Sequence, residues 1–200
     1  MRFLHPTGGS EDERWGTICT PGTKGIPAAV RAGKPWAADN NAFTQGFYPR
    51  RFFEWLDQMM PYQSTCIFVV VPDAVADWVQ TFYLYRQWAW RIQALGYPVA
   101  LAAQDGCEHQ HWPAGFNALF IGGSTEWKLG PGADVAIRRA QALGAHVHVG
   151  RVNYWIRYQH FRLMSGSDEF TCDGTRIRFE RKKTLARWSD YERMMPLFTL

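Results

Sequence analysis

No stretch of this chain approaches the ~18 consecutive apolar residues that a membrane-crossing helix requires, so the sequence predicts no transmembrane segment. Cysteine is scarce. The four cysteines, Cys19, Cys66, Cys107 and Cys172, lie far apart with no C-x-x-C spacing, which gives no paired-thiolate metal site. Cys66 and Cys172 fall within apolar, strand-like runs, where a free thiol packs as a small hydrophobe. A reducing, cytoplasmic setting is therefore expected. Pro6, Gly8 and Gly9 interrupt the N-terminus early, so no secretory leader is read there. Internal repeats and low-complexity tracts are missing, which removes solenoid and linker-like readings. Strong charge imbalance is missing too. The formal net charge is +4 and the pI about 9.0, a mild bias toward polyanionic partners.

What the chain does have is apolar bulk. Hydrophobic residues make up 46% and aromatics 16% of 200 residues, enough for one domain with a full core. Ten tryptophans exceed what a core of this size hides, so some are expected on a binding surface or in a base-stacking pocket. The basic residues concentrate late, where Arg176, Arg178, Arg181, Lys182, Lys183 and Arg187 crowd one segment.

Short apolar runs recur and end on polar residues. The first candidates are 2–5, 16–20 and 36–39. Cys66-Ile67-Phe68-Val69-Val70-Val71 is continuous and β-branched, as a strand buried on both faces is. Runs at 98–103, 118–121, 145–149 and 169–172 complete a set of eight. Helical periodicity fills the intervals at 26–32, 50–60, 74–94, 134–143, 152–164 and 184–194. The alternation predicts an α/β fold, a compact TIM-like (β/α)8 barrel forming a single domain, with the first βα units abbreviated and the basic segment from about 176 packed against it. At 200 residues the chain is short for that fold, and a doubly wound open sheet is the alternative.

In a barrel the strand ends converge on one mouth, so Asp39, Asp73, Gln104, Gly122-Gly123, Gly150-Arg151 and Asp173 would share a pocket. The key stretch is Pro35-Trp36-Ala37-Ala38-Asp39-Asn40-Asn41-Ala42-Phe43, an apolar strand delivering a carboxylate, two amides and an aromatic ring. Two readings of it stand side by side: a working rim, and an Asx-rich turn into a helix. Asp39 and Asp73 also suit helix N-caps, and Asp173-Gly174 suits a turn. Two carboxylates flanking a glycosidic carbon can cleave it through a covalent intermediate. The remaining carboxylate and amide suit the edge of a planar heterocycle. Cys107-Glu108-His109-Gln110-His111 has some metal-ligand character but lacks a further ligand pair, and no metal or other cofactor is expected. His146 and His148 share one strand face and read as satisfied core histidines. Glu126 and Lys128 read as rim residues.

The series resembles the tRNA-guanine transglycosylase superfamily, and most of all its short phage-type branch that inserts 7-deazaguanines into DNA. Asp39-Asn40-Asn41-Ala42-Phe43 is similar to the family's Asp-Ser-Gly-Gly-aromatic motif, Ala103-Gln104-Asp105-Gly106 to its Val-Gln-Gly-Gly segment, and Ile121-Gly122-Gly123 to its Ile-Gly-Gly turn. Val149-Gly150-Arg151-Val152 resembles its Met-Gly-Val-Gly segment. The resemblance implies that Asp39 is the general acid/base and that Phe43 stacks on the base. Asp73 would bind the N1 and exocyclic amine of guanine, and Gln104 would read the base edge. The N–H groups of Gly122 and Gly123 would face the base carbonyl. The nucleophile is Asp173 or Asp168. Asp173 is preferred because it ends an apolar stretch, whereas Asp168 sits in a polar Ser-Gly-Ser-Asp-Glu run.

The zinc site of the tRNA enzymes has no counterpart in this sequence, and the chain is much shorter than they are. Both departures favour DNA over tRNA as the partner, with tRNA as the alternative. A non-catalytic nucleic-acid-binding barrel is a third reading. Arg151, Arg176, Arg178, Lys182 and Lys183 would hold phosphates. A free 7-deazaguanine base, 7-cyano-7-deazaguanine first among them, would be the second substrate. A homodimer or a partner protein would supply any further grip, and the host bacterial cytoplasm would be the setting.

Overall fold

Eight parallel strands close into a barrel in strict chain order, with β8 returning to pair with β1. The computed structural model describes residues 1–6, 16–42, 46–166, 170–176 and 180–194. The strands are β1 (Arg2–Pro6), β2 (Gly16–Cys19), β3 (Trp36–Ala38), β4 (Cys66–Val70), β5 (Val99–Ala103), β6 (Ala118–Ile121), β7 (His146–Val149) and β8 (Thr171–Cys172). Helices α1 (Ala28–Arg31), α2 (Pro49–Met59), α3 (Trp78–Ala94), α4 (Thr125–Lys128), α5 (Pro131–Ala142), α6 (Trp155–Ser165) and α7 (Arg181–Met194) run between and after them. Among the described residues no strand exceeds five residues, which is how so short a chain closes eight of them. The expected barrel is therefore present, and the open sheet is not.

The abbreviated early unit is α1, a single turn between β2 and β3. Between β5 and β6 the chain makes only a 3₁₀ turn, Cys107–His109. The helix starts shift by one to four residues from the sequence periodicity, and two of the shifts have a clear local cause. Helix α3 begins at Trp78 rather than Ala74, because Asp77 caps it by accepting from the Gln80 N–H (2.9 Å). Ala76 before it adopts a left-handed φ of 59°, which no helix continues through. Helix α5 begins earlier than expected, at Pro131, a residue suited to the first turn because it has no N–H to leave unpaired.

The core has two layers. Between barrel and helices lie Trp36, Phe52, Leu56, Met59, Val69, Ile92, Leu101, Leu119, Ile137 and Phe161, all essentially inaccessible. Inside the barrel, alanines at 37, 100, 102 and 118 make room for the rings of Phe68 and Phe120. Small residues facing large ones is how so narrow a barrel fills without strain. On β7 the alternation places Val147 and Val149 in the outer layer and leaves His146 and His148 on the inward face. The interior is thus apolar over most of its circumference and polar at β7 and β8.

All four cysteines are buried and unbridged. Burial pushes the thiols of Cys19 and Cys107 up to about 12, so they pack as neutral groups. Among the described residues, no helix is long and apolar enough to cross a membrane.

Candidate functional site

A cavity of about 450 Å³ opens where the strands end. Asp39 from β3, Asp73 from β4, Gln104 from β5, Gly122 and Gly123 from β6, Arg151 from β7 and Asp173 from β8 all line it. Ile18, Val70, Val75 and Phe120 give it apolar walls. The volume falls within the range of about 300–1,000 Å³ usual for small-molecule sites. The strand-end residues singled out in the sequence, Gly150 apart, are thus gathered round one space. Phe43, Asp168 and Arg178 lie outside the described residues, as does the side chain of Lys182.

One wall is a fixed amide–carboxylate network. Asp73 Oδ1 accepts from Asn40 Nδ2 at 2.9 Å, and Asp73 Oδ2 accepts from Gln104 Nε2 at 2.7 Å. Asn40 also donates to the Val71 carbonyl (3.0 Å). Gln104 Oε1 in turn accepts from the N–H groups of Gly123 (2.8 Å) and Ala76 (2.9 Å). Asp73 therefore caps no helix; it is held across the ends of three strands.

Gly122 has no room for a side chain, since a Cβ there would sit 2.5 Å from Gln104 Nε2. Gly123 adopts a φ of 66°, and a Cβ there would lie 2.7 Å from Asp105 Oδ1. The glycines let β6 approach Gln104 closely. Their N–H groups, expected to face a ligand carbonyl, are instead taken by the Ala103 carbonyl (2.9 Å) and by Gln104. The pair shapes the wall and positions the amide.

Asp39 closes a tight turn. Its Oδ1 accepts from the Asn41 N–H at 2.9 Å, Asn40 Oδ1 accepts from the Ala42 N–H at 2.7 Å, and Asn41 has a left-handed φ of 63°. Rim and Asx turn, the two readings of this stretch, are the same object: the turn is what holds Asp39 at the cavity.

Asp173 is gripped from β7. Its Oδ1 accepts from the Arg151 N–H at 2.8 Å, and its Oδ2 lies 3.1 Å from His148 Nε2. The Arg151 peptide is itself fixed, although its φ of 60° is unusual for a residue with a side chain. Lys128 Nζ donates to the Gly150 carbonyl (2.8 Å), Arg157 to the Arg151 carbonyl (2.8 Å), and the Arg151 guanidinium to the Gly123 carbonyl (3.0 Å). Lys128, expected on the rim, is almost completely buried, with 1% of its surface exposed. Burial, helped by the Arg151 charge, lowers its amine to about 7.

The carboxylates respond differently to this shared space. Burial raises Asp39 to about 7; the charges of Asp173 and Asp73 add to that, and the Asn41 N–H and Arg151 only partly oppose it. Burial also raises Asp73. Burial acts on Asp173 in the same sense, but the His148 hydrogen bond, the Arg151 N–H and the Lys128 charge outweigh it and hold Asp173 below the usual range. At neutral pH, Asp173 is ionised while Asp39 is poised between its two states. A carboxylate pair split in this way can supply one ionised group and one proton carrier.

A shallower depression adjoins the cavity through Asn153, which lines both. Tyr154, Trp155, Arg176, Lys183, Arg187 and Trp188 line it. Arg176 is bound to Glu180 (3.0 Å), and its guanidinium stands 5.5 Å from the Tyr154 ring. Arg151, by contrast, belongs to the cavity wall. Tryptophans line this depression, but among the described residues none lines the main cavity. In the Cys107 loop the thiol is buried and Glu108 accepts from Trp127 Nε1 (3.0 Å). Among the described residues, no three His, Cys, Asp or Glu side chains group as a metal site would.

The residues sequence reasoning missed are the supporting ones: His148, Lys128, Arg157, and Asn40 as a partner of Asp73. The only local signal was the inward phase of His146 and His148.

No protein-family model matches this chain, and no curated protein is significantly similar to it.

Proposed function

We propose that this protein exchanges guanine in DNA for a 7-deazaguanine through a covalent glycosyl intermediate on Asp173. The observation that carries the reading is the divergence of Asp39 and Asp173 around one cavity, the first pushed up to about 7 and the second held ionised. The resemblance of the strand-end motifs supplies the substrate class.

The target nucleotide leaves the duplex stack and enters the cavity. A carboxylate oxygen of Asp173 bonds to the sugar C1′ as the bond from C1′ to the guanine nitrogen breaks, and Asp39 gives its proton to that nitrogen. The incoming 7-deazaguanine loses the corresponding proton to Asp39, its nitrogen bonds to C1′, and the Asp173 carboxylate departs. One N-glycosidic bond replaces another, so the exchange is near neutral in energy. Asp73 suits the adjacent donors of a guanine edge. Each of its oxygens accepts one protein hydrogen bond and keeps a second lone pair. The fixed Asn40–Asp73–Gln104 network selects a ligand that brings N–H groups to that edge, since a ligand lacking them covers the remaining lone pairs of a buried carboxylate without a donor. The depression with Tyr154, Arg176, Lys183 and Arg187 suits the phosphates and bases that flank the extruded nucleotide.

Nucleoside mass spectrometry tests the reading. DNA from cells that express the protein and make 7-cyano-7-deazaguanine should contain a deazaguanine deoxynucleoside, and its presence should depend on Asp173. Modification confined to tRNA would move the substrate to RNA, and modification of neither would overturn the exchange reading.

A further inference from the structure

Behind Asp173 runs a buried chain of polar groups that the exchange reaction leaves unused. His148 Nε2 lies 3.1 Å from Asp173 Oδ2, and His148 Nδ1 lies 2.8 Å from Thr171 Oγ1. The same hydroxyl lies 2.7 Å from His146 Nε2. His148 is fully inaccessible, and its ring is stacked on Phe120 (4.9 Å, 25°) and packed against Phe68 at 5.0 Å. The ring is therefore held by two aromatic neighbours as well as by its hydrogen bonds.

The hydrogen positions follow from the chemistry of each group. Ionised Asp173 can only accept, so His148 Nε2 carries a proton. When the ring is neutral, Nδ1 is an acceptor and the Thr171 hydroxyl donates to it. That leaves the Thr171 oxygen to accept from His146 Nε2. Burial lowers His146 to about 4, so it stays neutral and able to complete the chain. For a neutral His148 ring, one assignment of tautomers satisfies all three contacts.

We infer that His148 is a positioning residue for the Asp173 carboxylate, and that Thr171 and His146 act through it by fixing its Nε2–H tautomer. The inference deepens the exchange reading and rests on it for the identity of the reacting carboxylate. The chain holds one oxygen of Asp173 from inside the barrel while the Arg151 N–H holds the other from the rim. An attacking carboxylate held at both oxygens reaches C1′ in one geometry, and misplacement by about 1 Å can cost on the order of 100-fold in rate. The ring N–H also favours the ionised carboxylate, acting with Lys128 on α4 and Arg151 after β7 and against the charge of Asp39 after β3.

Thr171→Val removes the hydroxyl at nearly constant shape, and Thr171→Ser restores it. Nitrogen-15 NMR of histidine-labelled protein should show His148 protonated at Nε2 and not at Nδ1, with that preference lost in Thr171→Val and regained in Thr171→Ser. Carbon-13 NMR of labelled aspartate should place the Asp173 titration about one pH unit higher in His148→Phe and higher in Thr171→Val, since each loses part of what favours the ionised form. The acid limb of the exchange rate should move with it. His148→Phe should slow exchange by about 100-fold and Thr171→Val by about 10-fold, with Thr171→Ser recovering most of that loss. An Nδ1-protonated His148, or an Asp173 titration and acid limb unmoved in Thr171→Val, would overturn the inference. Both NMR readings are independent of turnover. Their success in a protein that exchanges no base would therefore defeat the exchange reading and leave the positioning chain standing.

Discussion

Asp39 and Asp173 line one cavity, yet their surroundings drive them apart: Asp39 rises to about 7, and Asp173 is held ionised by His148 and Arg151. The difference lies in their partners. Asp39 has one backbone donor and two carboxylate neighbours, whereas Asp173 has a ring donor, a backbone donor and a nearby amine. In the proposed exchange, that asymmetry suits Asp39 to the acid/base role and Asp173 to the nucleophile's.

The exchange rate should therefore be bell-shaped in pH. In the proposed exchange Asp39 is protonated to release guanine and ionised to admit the incoming base, so the rate should peak near pH 7 and fall on both sides. Steady-state exchange measured between pH 5 and 9 checks this; a rate still rising above pH 8 would remove Asp39 from the role.

The same shift burdens the fold. Below the ordinary carboxylate range Asp39 is protonated in folded and unfolded chains alike. Between about pH 4 and 7 the folded chain holds the extra proton, so stability falls as pH rises through that window. Asp39→Asn removes the penalty. Urea unfolding should find the variant gaining on the parent by on the order of 2–4 kcal/mol between pH 4 and pH 8 while exchange is lost. An equal difference at both pH values would contradict the shift.

Lys128 gives the opposite slope. Its amine is lowered to about 7, so above that pH the unfolded chain holds more protons and the fold gains stability until about pH 10. Lys128→Met should abolish that gain, which is at most about 1.4 kcal/mol per pH unit. It also frees the Gly150 carbonyl, so exchange should fall by about 10-fold through a loosened Arg151 peptide. Parallel pH–stability curves for the two proteins would show that Lys128 keeps its ordinary affinity for protons.

Much of this site was legible in the sequence. Continuous β-branched runs such as 66–71 mark buried strands, and each ends on a residue that water or a ligand must satisfy, which names Asp39, Asp73, Gln104 and Asp173. The supports were not legible. Lys128 sits in Thr-Glu-Trp-Lys, a local pattern of a solvated turn, and its burial comes from a carbonyl 22 residues later. His148 shows only that it shares a face with His146; that the face meets Asp173 depends on the β7–β8 register, His148 against Thr171. The segment before α3 looked helical because its residues are apolar. The Ala76 N–H is instead committed to Gln104, a contact set 28 residues away.

That commitment makes Gln104 sensitive to small changes. Gly122→Ala places a Cβ within 2.5 Å of its amide nitrogen, so the amide must leave Asp73. Affinity for the free base, read by calorimetry, should drop by about 100-fold, roughly the loss from unpairing a buried carboxylate. Gln104→Glu should do at least as much, because two carboxylates would then share one hydrogen-bond contact. Unchanged base affinity in both variants would place the ligand elsewhere in the cavity.

The most direct test of the central claim is entry of labelled guanine into nucleic acid, with purified protein and either duplex DNA or tRNA, for the parent and Asp173→Asn. Label should enter DNA with the parent protein and fall by about 10⁴-fold or more with Asp173→Asn, in line with removal of a covalent nucleophile. Label entering DNA at the parent rate with Asp173→Asn, or entering neither nucleic acid with the parent protein, would contradict it.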